Sequence, residues 1–409
     1  MARLKRPARV LFLHPSNELY GADTSLLYLL RGLDRSRFEP YVILANDLDY
    51  SGLLSGELAQ SGITCLSLPI AVARRKYLSP SGLPAFLGRV RSSVRLVSQI
   101  IEQEAIDLVH TNTLAVWTGA LAARRSHRPH VWHIHETLHG PRQLITLMQQ
   151  FVPAYSARVI GVCRASLENI LVSEKARAKG VVIYNGKEPQ TWMAAEAQGG
   201  RDRVRAALGI GAGPEAVAVG MVARISTMKA PDLCVRAVAQ LQPHFPGLHC
   251  FIAGGPVPGQ TEALAEVERL VAQAPDPARF HLLGERRDAP DLMAAMDILA
   301  APSRYGEGAS LTIIQGMFAG RPVVASDAGG NRELVEAGRT GFIIAPEDVG
   351  ALAEGLGRLV ADGELRARMG WAGQQRALRR FTLERTVAEF NALLWDVYTG
   401  AGTVIAAAG

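Results

Sequence analysis

Short apolar runs alternate with amphipathic segments along nearly the whole chain. An uninterrupted apolar run is typical of a strand buried on both faces, and an amphipathic segment is typical of a helix that covers the sheet. The pattern therefore predicts parallel sheets with helices on both faces. The strands predicted in the first half are 10–13, 41–45, 65–68, 106–110, 130–135, 159–162 and 181–184. Those predicted in the second half are 216–222, 249–253, 280–283, 298–300, 322–325 and 341–344.

Domain organisation follows from length and from one break in the pattern. At 409 residues, two domains are expected. In 185–214, Gly, Pro, Gln and charged residues replace the periodic pattern, which predicts an irregular boundary. We predict a first domain over 1–188, a second over 189–383, and a C-terminal helix with a frayed tail over 384–409. Helical spacing between the strands is clearest in 24–33, 85–103, 115–123 and 381–398.

Charge is distributed unevenly along the chain. Residues 1–190 contain 23 Lys and Arg against 14 Asp and Glu, whereas the remainder contains 21 against 24. No acidic residue lies between Glu57 and Glu102. This basic, partly amphipathic stretch suits an anionic membrane surface or a phosphate-bearing acceptor, and a solvated helix face explains it equally well. Its candidate contact residues are Arg74, Arg75, Lys76, Arg89 and Arg91.

Composition excludes several classes of protein. There is no apolar stretch of about 20 residues, and the basic N-terminus is too short for a signal peptide. The four cysteines are scattered and form no Cys-x-x-Cys pair, which favours reduced thiols in a cytoplasmic protein and no zinc site. Peripheral attachment to the inner face of the plasma membrane is a further hypothesis. No nucleic-acid-binding module or aromatic platform is recognisable, so nucleic acid is not an expected partner.

One segment, 302–326, carries the clearest candidate chemistry. Glu307 lies in a predicted loop, before a turn of small residues and a buried helix expected over 311–319. A carboxylate accepts hydrogen bonds from sugar hydroxyls, and a helix N-terminus favours phosphate. Gln315 follows Glu307 by eight positions, about two helical turns along the same face. A plain loop before a helix explains this segment alone equally well.

Two cationic residues follow the carboxyl end of the first strand predicted for the second domain. Arg224 offers a forked set of donors and Lys229 a point charge, so together they can bind a diphosphate. An ordinary surface pair is the alternative. After the next two strands come further small-residue loops, where a flat ring can approach the backbone. Their residues are Gly254, Gly255, Gly284 and Glu285.

Taken in order, these segments resemble the nucleotide-sugar half of the retaining glycosyltransferases of family four, which have the GT-B fold. The resemblance continues through 297–298, 320–325, 329–330, Glu333 and the strand at Gly341. In the first half, the segments that resemble the family are Gly21-Ala22-Asp23, 107–112, 132–136 and 182–186. The resemblance implies two Rossmann-like, doubly wound domains that face a deep cleft, with a C-terminal helix that crosses back to the first domain.

The resemblance also implies roles for the matching residues. Arg224 and Lys229 would neutralise the donor diphosphate, so no metal ion and no further cofactor are expected. His135 would face the transferred sugar, although His133 lies two residues earlier on the same strand face and the choice between them stays open. Without the family context, a core histidine with its hydrogen bonds satisfied is the preferred interpretation of His135. The remaining donor-side residues would be Gly21, Glu307, Gly308, Ala309, Ser310, Leu311 and Gln315.

The function implied is retaining transfer of a sugar from a uridine or guanosine diphosphate sugar to an acceptor hydroxyl. A lipid-linked glycan in cell-surface polysaccharide assembly is the expected acceptor. A nucleotide-sugar epimerase of the same fold and a catalytically silent nucleotide-sugar-binding protein are the alternatives. The sequence departs from the family pattern in three places: Gln315 replaces a glutamate, Ala223 and Ala230 replace glycines, and Gly308-Ala309-Ser310 replaces Gly-Phe-Gly. The alanines are tolerable only where the backbone has negative φ.

Overall fold

The computed structural model describes residues 6–74, 77, 82–257 and 261–400. The described residues form two compact units, each considered separately below. The first unit falls within Met1–Asn185 and Leu383–Gly409, and the second unit is Gly186–Thr382. Within the described parts of the chain, no helix combines the length and the apolar character that a membrane crossing requires.

The first unit contains a seven-stranded parallel sheet in the order β3-β2-β1-β4-β5-β6-β7. Its elements are β1 (Ala8–His14), α1 (Gly21–Arg31), β2 (Phe38–Ala45), α2 (Leu53–Gln60), β3 (Cys65–Leu68), α3 (Leu83–Gln103), β4 (Leu108–Asn112), α4 (Thr118–Arg125), β5 (His130–Ile134), α5 (Arg142–Ala154), β6 (Arg158–Gly161), α6 (Arg164–Ile170), α7 (Glu174–Arg177) and β7 (Gly180–Val182). The central strands β4 and β5 are buried throughout and β1 is buried except at Arg9, because helices cover both faces of the sheet.

The second unit contains a six-stranded parallel sheet in the order β10-β9-β8-β11-β12-β13. Its elements are α8 (Pro189–Ala197), α9 (Gly200–Ala207), β8 (Val217–Val222), α10 (Pro231–Leu241), β9 (Leu248–Ala253), α11 (Thr261–Ala272), a 3-10 turn (Pro277–Arg279), β10 (Phe280–Gly284), α12 (Ala289–Ala295), β11 (Ile298–Ala301), α13 (Leu311–Phe318), β12 (Val323–Ser326), α14 (Asn331–Leu334), β13 (Gly341–Ile344), α15 (Val349–Ala361) and α16 (Gly363–Arg380).

The last helix, α17 (Leu383–Thr399), belongs to the core of the first unit. The ring of Phe390 is fully buried and lies 6.4 Å from the ring of Phe12 on β1 and 5.4 Å from that of His110 on β4. Leu393 and Leu394 are buried in the same apolar cluster. The C-terminal segment therefore completes a sheet face that the first 185 residues leave uncovered.

Each of the thirteen predicted strands is present, with ends that differ from the prediction by at most three residues. The stretch 185–214, where the pattern predicts an irregular boundary, contains the helices α8 and α9. Their packing against α12 outweighs the weak local pattern. The ion pair between Arg205 on α9 and Asp297 before β11, at 3.0 Å, adds to that packing.

Candidate functional site

The order of the strands points to one edge of the second sheet. All strands are parallel, but the order in which they are added to the sheet reverses between β8 and β11. The strands β9 and β10 lie on one side of β8, and β11, β12 and β13 lie on the other. In open parallel sheets, ligands bind beyond the carboxyl ends of the strands at such a switch point. The segment with Arg224 and Lys229 follows β8, and the segment with Glu307 follows β11. The fold therefore places these segments at the expected ligand edge.

The loops after β8, β9 and β10 are joined by backbone hydrogen bonds. The amide of Ile225 donates to the carbonyl oxygen of Gly255 at 2.8 Å, and the amide of Gly254 donates to that of Gly284 at 2.7 Å. A Cβ atom placed on Gly255 would lie 3.7 Å from Cβ of Glu285, so these two residues are neighbours. The predicted ring-binding residues of the two loops after β9 and β10 are thus joined to each other and to the loop after β8.

Lys229 and Glu307 form an ion pair, although 78 residues separate them in the sequence. The Glu307 carboxylate is buried, with 7% of its side chain exposed, whereas Lys229 retains 22%. Ser303 also donates its hydroxyl to Oε1 of Glu307 at 2.6 Å. An ammonium group has three donors, and it therefore keeps donors for a second anion beside the carboxylate.

Helix α13 begins next to this pair. Its first residue is Leu311, and the side chain of its N-cap residue, Ser310, makes no capping hydrogen bond. The hydroxyl of Thr312 donates to the carbonyl oxygen of Val222 at 3.1 Å, which fixes the helix N-terminus at the end of β8. Ala309 and Ser310 are buried beside it, and Gln315 is half-buried one turn farther along. Uncapped amides at a helix N-terminus favour a bound anion.

The three other predicted donor-side features differ in how the structure presents them. Arg224 lies two residues after β8 with an exposed side chain. Gly308 accepts a hydrogen bond from the amide of Gly330 at 3.1 Å, which joins its loop to the segment before α14. Gly21 is the first residue of α1 in the first unit, so the segment Gly21-Ala22-Asp23 forms the first turn of a helix.

Ala230 does not meet the condition of negative φ under which an alanine is tolerable in place of glycine. Its backbone has φ +56°, a left-handed conformation that an L-residue with a side chain adopts at a cost of about 1–2 kcal/mol. The strained residue sits directly before Pro231, the first residue of α10. Ala223 has no such strain, since it is not among the described residues with positive φ. Only one of the two alanine departures is therefore tolerated without cost.

Arg304 is a site residue that the sequence interpretation missed. Its guanidinium donates to both carboxylate oxygens of Asp232, at 2.9 and 2.6 Å, and to the carbonyl oxygen of Thr227 at 2.9 Å. Its amide donates to the carbonyl oxygen of Met228. Arg304 thus ties the Glu307 loop to the Lys229 loop. The feature of the sequence that could have identified Arg304 is its position between the end of β11 and Glu307.

Replacing Arg304 with methionine is expected to weaken binding of a nucleoside diphosphate about tenfold, because charge-assisted hydrogen bonds contribute about 1.5–3 kcal/mol and the two loops lose their link. Isothermal titration with the uridine and the guanosine diphosphate measures the affinity. Arg286→Met, which removes another partly exposed arginine that pairs with an aspartate of this unit, is the control. Unchanged affinity in Arg304→Met would show that the link does not position the loops.

In the first unit, His135 and His133 have different surroundings. His135 directly follows β5 and is half-buried, and its Nε2 lies 2.7 Å from Oδ1 of Asn112. Burial lowers the pKa of His135 to about 3, so the ring is neutral at physiological pH. His133 is only 2% exposed, stacks on Phe390 and has no hydrogen-bond partner among the described residues. His135 is the more accessible of the two.

The basic residues predicted to contact a membrane or an acceptor differ in their partners and in their exposure. Arg74 donates to both carboxylate oxygens of Asp47, at 3.1 and 3.0 Å, so its charge is matched locally. Arg89 donates to the hydroxyl of Tyr77 at 3.0 Å and stacks over its ring. Arg91 is exposed on α3. Arg75 and Lys76 lie outside the described residues.

Asp47-Leu48-Asp49 is an Asp-x-Asp triplet that the sequence interpretation overlooked. Burial would raise the pKa of Asp47, but the hydrogen bonds and charge of Arg74 outweigh it and hold that pKa below its usual value. The hydroxyl of Tyr50 also donates to Asp47 at 3.1 Å. The first carboxylate of the triplet is therefore already bound by an arginine and a tyrosine.

Comparison with known families gives two matches, one in each half of the chain. Residues 20–190 match the glycosyltransferase family 4 profile, and residues 207–376 match the profile described as glycosyl transferases group 1.

Individual relatives agree with these profiles. A D-inositol 3-phosphate glycosyltransferase of Streptomyces avermitilis is 31% identical over 66% of this chain and 61% of its own length. The lipopolysaccharide core biosynthesis mannosyltransferase LpsB of Rhizobium meliloti is 32% identical over 45% of this chain and 53% of its own length. The chain thus spans between about half and two thirds of these two relatives.

Among solved structures, HepE of Anabaena, in complex with UDP and glucose, superimposes with a TM-score of 0.78. The two sequences are 25% identical, and the match covers 95% of this chain and 100% of HepE. The strand order of both units, the GT-B fold of this neighbour and the two profile matches agree. The chain therefore belongs to glycosyltransferase family 4, the group 1 glycosyl transferases with the GT-B fold.

Proposed function

We propose that this protein transfers a sugar from a uridine diphosphate sugar to an acceptor hydroxyl with retention of anomeric configuration. The observation that carries the proposal is the contact between Lys229 and Glu307 at the switch point of the second sheet. The Lys229 ammonium group suits a diphosphate, and the Glu307 carboxylate suits sugar hydroxyls. Uridine is preferred over guanosine because the neighbour HepE was solved with UDP and glucose.

The proposed chemistry is electrostatic. As the bond between the sugar and the diphosphate breaks, negative charge grows on the leaving phosphate, and Lys229, Arg224 and the first amides of α13 stabilise it. Glu307 holds the sugar by accepting hydrogen bonds from its hydroxyls. For His135 of the first unit, the family resemblance implies a contact with the transferred sugar. The family resemblance implies that the departing phosphate guides the acceptor hydroxyl to the same face. The proposal requires neither a carboxylate nucleophile nor a metal ion.

The donor test uses the purified protein with UDP-glucose or GDP-mannose and no acceptor. We expect UDP-glucose to raise the melting temperature more than GDP-mannose, since a bound ligand stabilises the folded state by mass action. We also expect slow release of UDP with α-glucose as the first product, followed by proton NMR. An epimerised UDP-sugar would identify an epimerase, and binding without any hydrolysis or transfer would identify a silent binding protein. Either result overturns the proposal.

For the acceptor, we propose a lipid-linked glycan that the protein meets at an anionic membrane surface. The first turns of α3 expose two leucines, Leu83 and Leu87, with 42% and 49% of their surface accessible. Arg91 and Arg95 are exposed on the turns that follow. Apolar residues beside cations on a helix surface are typical of binding at a lipid interface.

Reversing charge at Arg91 and Arg95 is expected to abolish flotation with vesicles that contain phosphatidylglycerol, because each cation near an anionic surface contributes about 1 kcal/mol. The control is the double variant Arg124→Glu and Arg125→Glu, which makes the same charge change in α4. Thermal melts check that both variants fold. Equal flotation of wild type and Arg91/Arg95 variant would exclude α3 as the membrane-binding surface.

A further inference from the structure

Four polar side chains form a hydrogen-bonded row at the carboxyl edge of the first sheet. Nε2 of His14, at the end of β1, contacts Oδ1 of Asp23 on α1. Nδ1 of His14 lies 2.9 Å from Nδ2 of Asn112, at the end of β4. Oδ1 of Asn112 lies 2.7 Å from Nε2 of His135. We call Asp23, His14, Asn112 and His135 the polar row. It lies where β1 and β4 adjoin, which is the switch point of this sheet.

Backbone groups fix the direction of the polar row at two places. The amide of Tyr20 donates to Oδ2 of Asp23 at 2.7 Å. Burial would raise the pKa of Asp23, but its interactions with His14 and this amide outweigh burial and lower that pKa, so Asp23 is a carboxylate and accepts from Nε2 of His14. Nδ2 of Asn112 also faces the carbonyl oxygen of Ala22 at 3.4 Å, which orients the amide with its NH₂ group toward Nδ1 of His14.

The protons then have one consistent arrangement. Nε2–H of His14 donates to Asp23, and Nδ1 of His14 accepts from Asn112. The remaining amide oxygen of Asn112 accepts from Nε2–H of His135. A neutral imidazole carries one N–H and one lone pair, so this bond leaves Nδ1 of His135 as an acceptor.

We propose that Asp23, His14 and Asn112 are positioning residues that hold His135 in its Nε2–H tautomer, so that Nδ1 is an acceptor for a hydroxyl of a bound sugar. The identity of the ligand in this inference rests on the proposed function, whereas the tautomer of His135 does not. An acceptor that cannot donate selects a sugar hydroxyl and disfavours a carboxylate, which brings only lone pairs. A sugar that presents a hydroxyl at this position, as glucose can at C6, is therefore favoured over one that presents a carboxylate there, as a uronic acid does.

The tautomer is tested by nitrogen-15 NMR of the full-length protein labelled at histidine, without any donor. Wild-type His135 is expected to show the Nε2–H pattern alone, whereas an Nδ1–H pattern or a mixture would overturn the proposal. In Asp23→Asn, the side-chain oxygen must accept from the Tyr20 amide, so its NH₂ group faces Nε2 of His14. The polar row must then reverse or break, and His135 is expected to lose its single tautomer. An unchanged His135 spectrum would contradict the proposal.

A second variant covers the case in which Asp23→Asn does not fold. In Asn112→Asp, either carboxylate oxygen can accept from Nε2–H of His135, so the wild-type tautomer is expected to persist. A switch to Nδ1–H in that variant would also overturn the proposal. Asp34→Asn removes a carboxylate whose partners, Ser36 and Arg37, lie outside the polar row, and it serves as the matched control.

Activity supplies a separate readout. Asp23→Asn is expected to lower turnover of UDP-glucose about tenfold, on the order of one lost hydrogen bond, and to reduce the preference for UDP-glucose over UDP-glucuronate. Asp34→Asn is expected to change neither. A wild-type preference for UDP-glucuronate would overturn the specificity inference. If the tautomers behave as expected but no UDP-sugar binds, the proposed function fails while the polar row stands.

Discussion

Replacing Lys229 with alanine is expected to lower the rate of sugar transfer from UDP-glucose by about 10²- to 10³-fold, the usual effect of removing one group that stabilises developing negative charge. Two losses combine in this variant. The diphosphate loses a cation at the switch point, and the buried carboxylate of Glu307 loses its ion pair with Lys229. Without that positive charge, the carboxylate at the sugar position also repels the incoming diphosphate.

Steady-state release of UDP measures this prediction, with a thermal melt to verify folding. Arg236→Ala removes one positive charge from an exposed position on α10, where the arginine pairs with Glu266, and should retain wild-type turnover. Because the lost group acts on the leaving phosphate, the turnover number should fall more than the affinity for UDP-glucose. A Lys229→Ala enzyme with wild-type turnover would remove the basis of the proposed mechanism.

Gly254→Ala is expected to have the second large effect, a destabilisation of about 3 kcal/mol or more with loss of UDP binding. A Cβ atom on Gly254 would lie 1.9 Å from the carbonyl oxygen of Ala223, and the residue has φ +149°, which side-chain-bearing residues rarely adopt. The loops after β8 and β9 must separate to admit the methyl group. The hydrogen bond from the Gly254 amide to Gly284 is then also disturbed.

Differential scanning calorimetry tests the size of this effect. For a unit of this length, each kcal/mol lowers the melting temperature by roughly 2–4 °C, so a drop of roughly 6–12 °C is expected. Gly255→Ala is the matched control for stability, since its Cβ would have its nearest contact at 3.7 Å and its φ is not positive. Equal melting temperatures for the two variants would show that the loops after β8 and β9 are not held in close contact.

The strands and the order of the candidate segments are predictable from sequence because buried parallel strands leave an unbroken apolar signal. The helix α13 and the strand β12 also lie within two residues of their predicted positions. The contact between Lys229 and Glu307 is not predictable in the same way. Each residue was assigned to the donor separately, and only the sheet order, with β8 beside β11, brings the two loops together.

The polar row and Arg304 escaped prediction for a related reason. His14 and Asn112 each end an apolar strand, and nothing in their local spacing distinguishes a functional polar residue from a strand terminus. The two residues come into contact because β1 pairs with β4. Arg304 was overlooked because its carboxylate partner, Asp232, is 72 residues away. Secondary structure follows from local pattern, whereas these contacts depend on topology.

The position of α17 in the first unit has a consequence for biosynthesis. The first 185 residues leave the ribosome without Phe390, Leu393 and Leu394, which later fill their core. At about 5–20 residues per second, translation of the intervening residues delays that core by roughly 10–40 s. The second unit is continuous in sequence, so its core needs no later segment. A chain truncated before Leu383 should therefore contain a protease-resistant second unit and a protease-sensitive first unit.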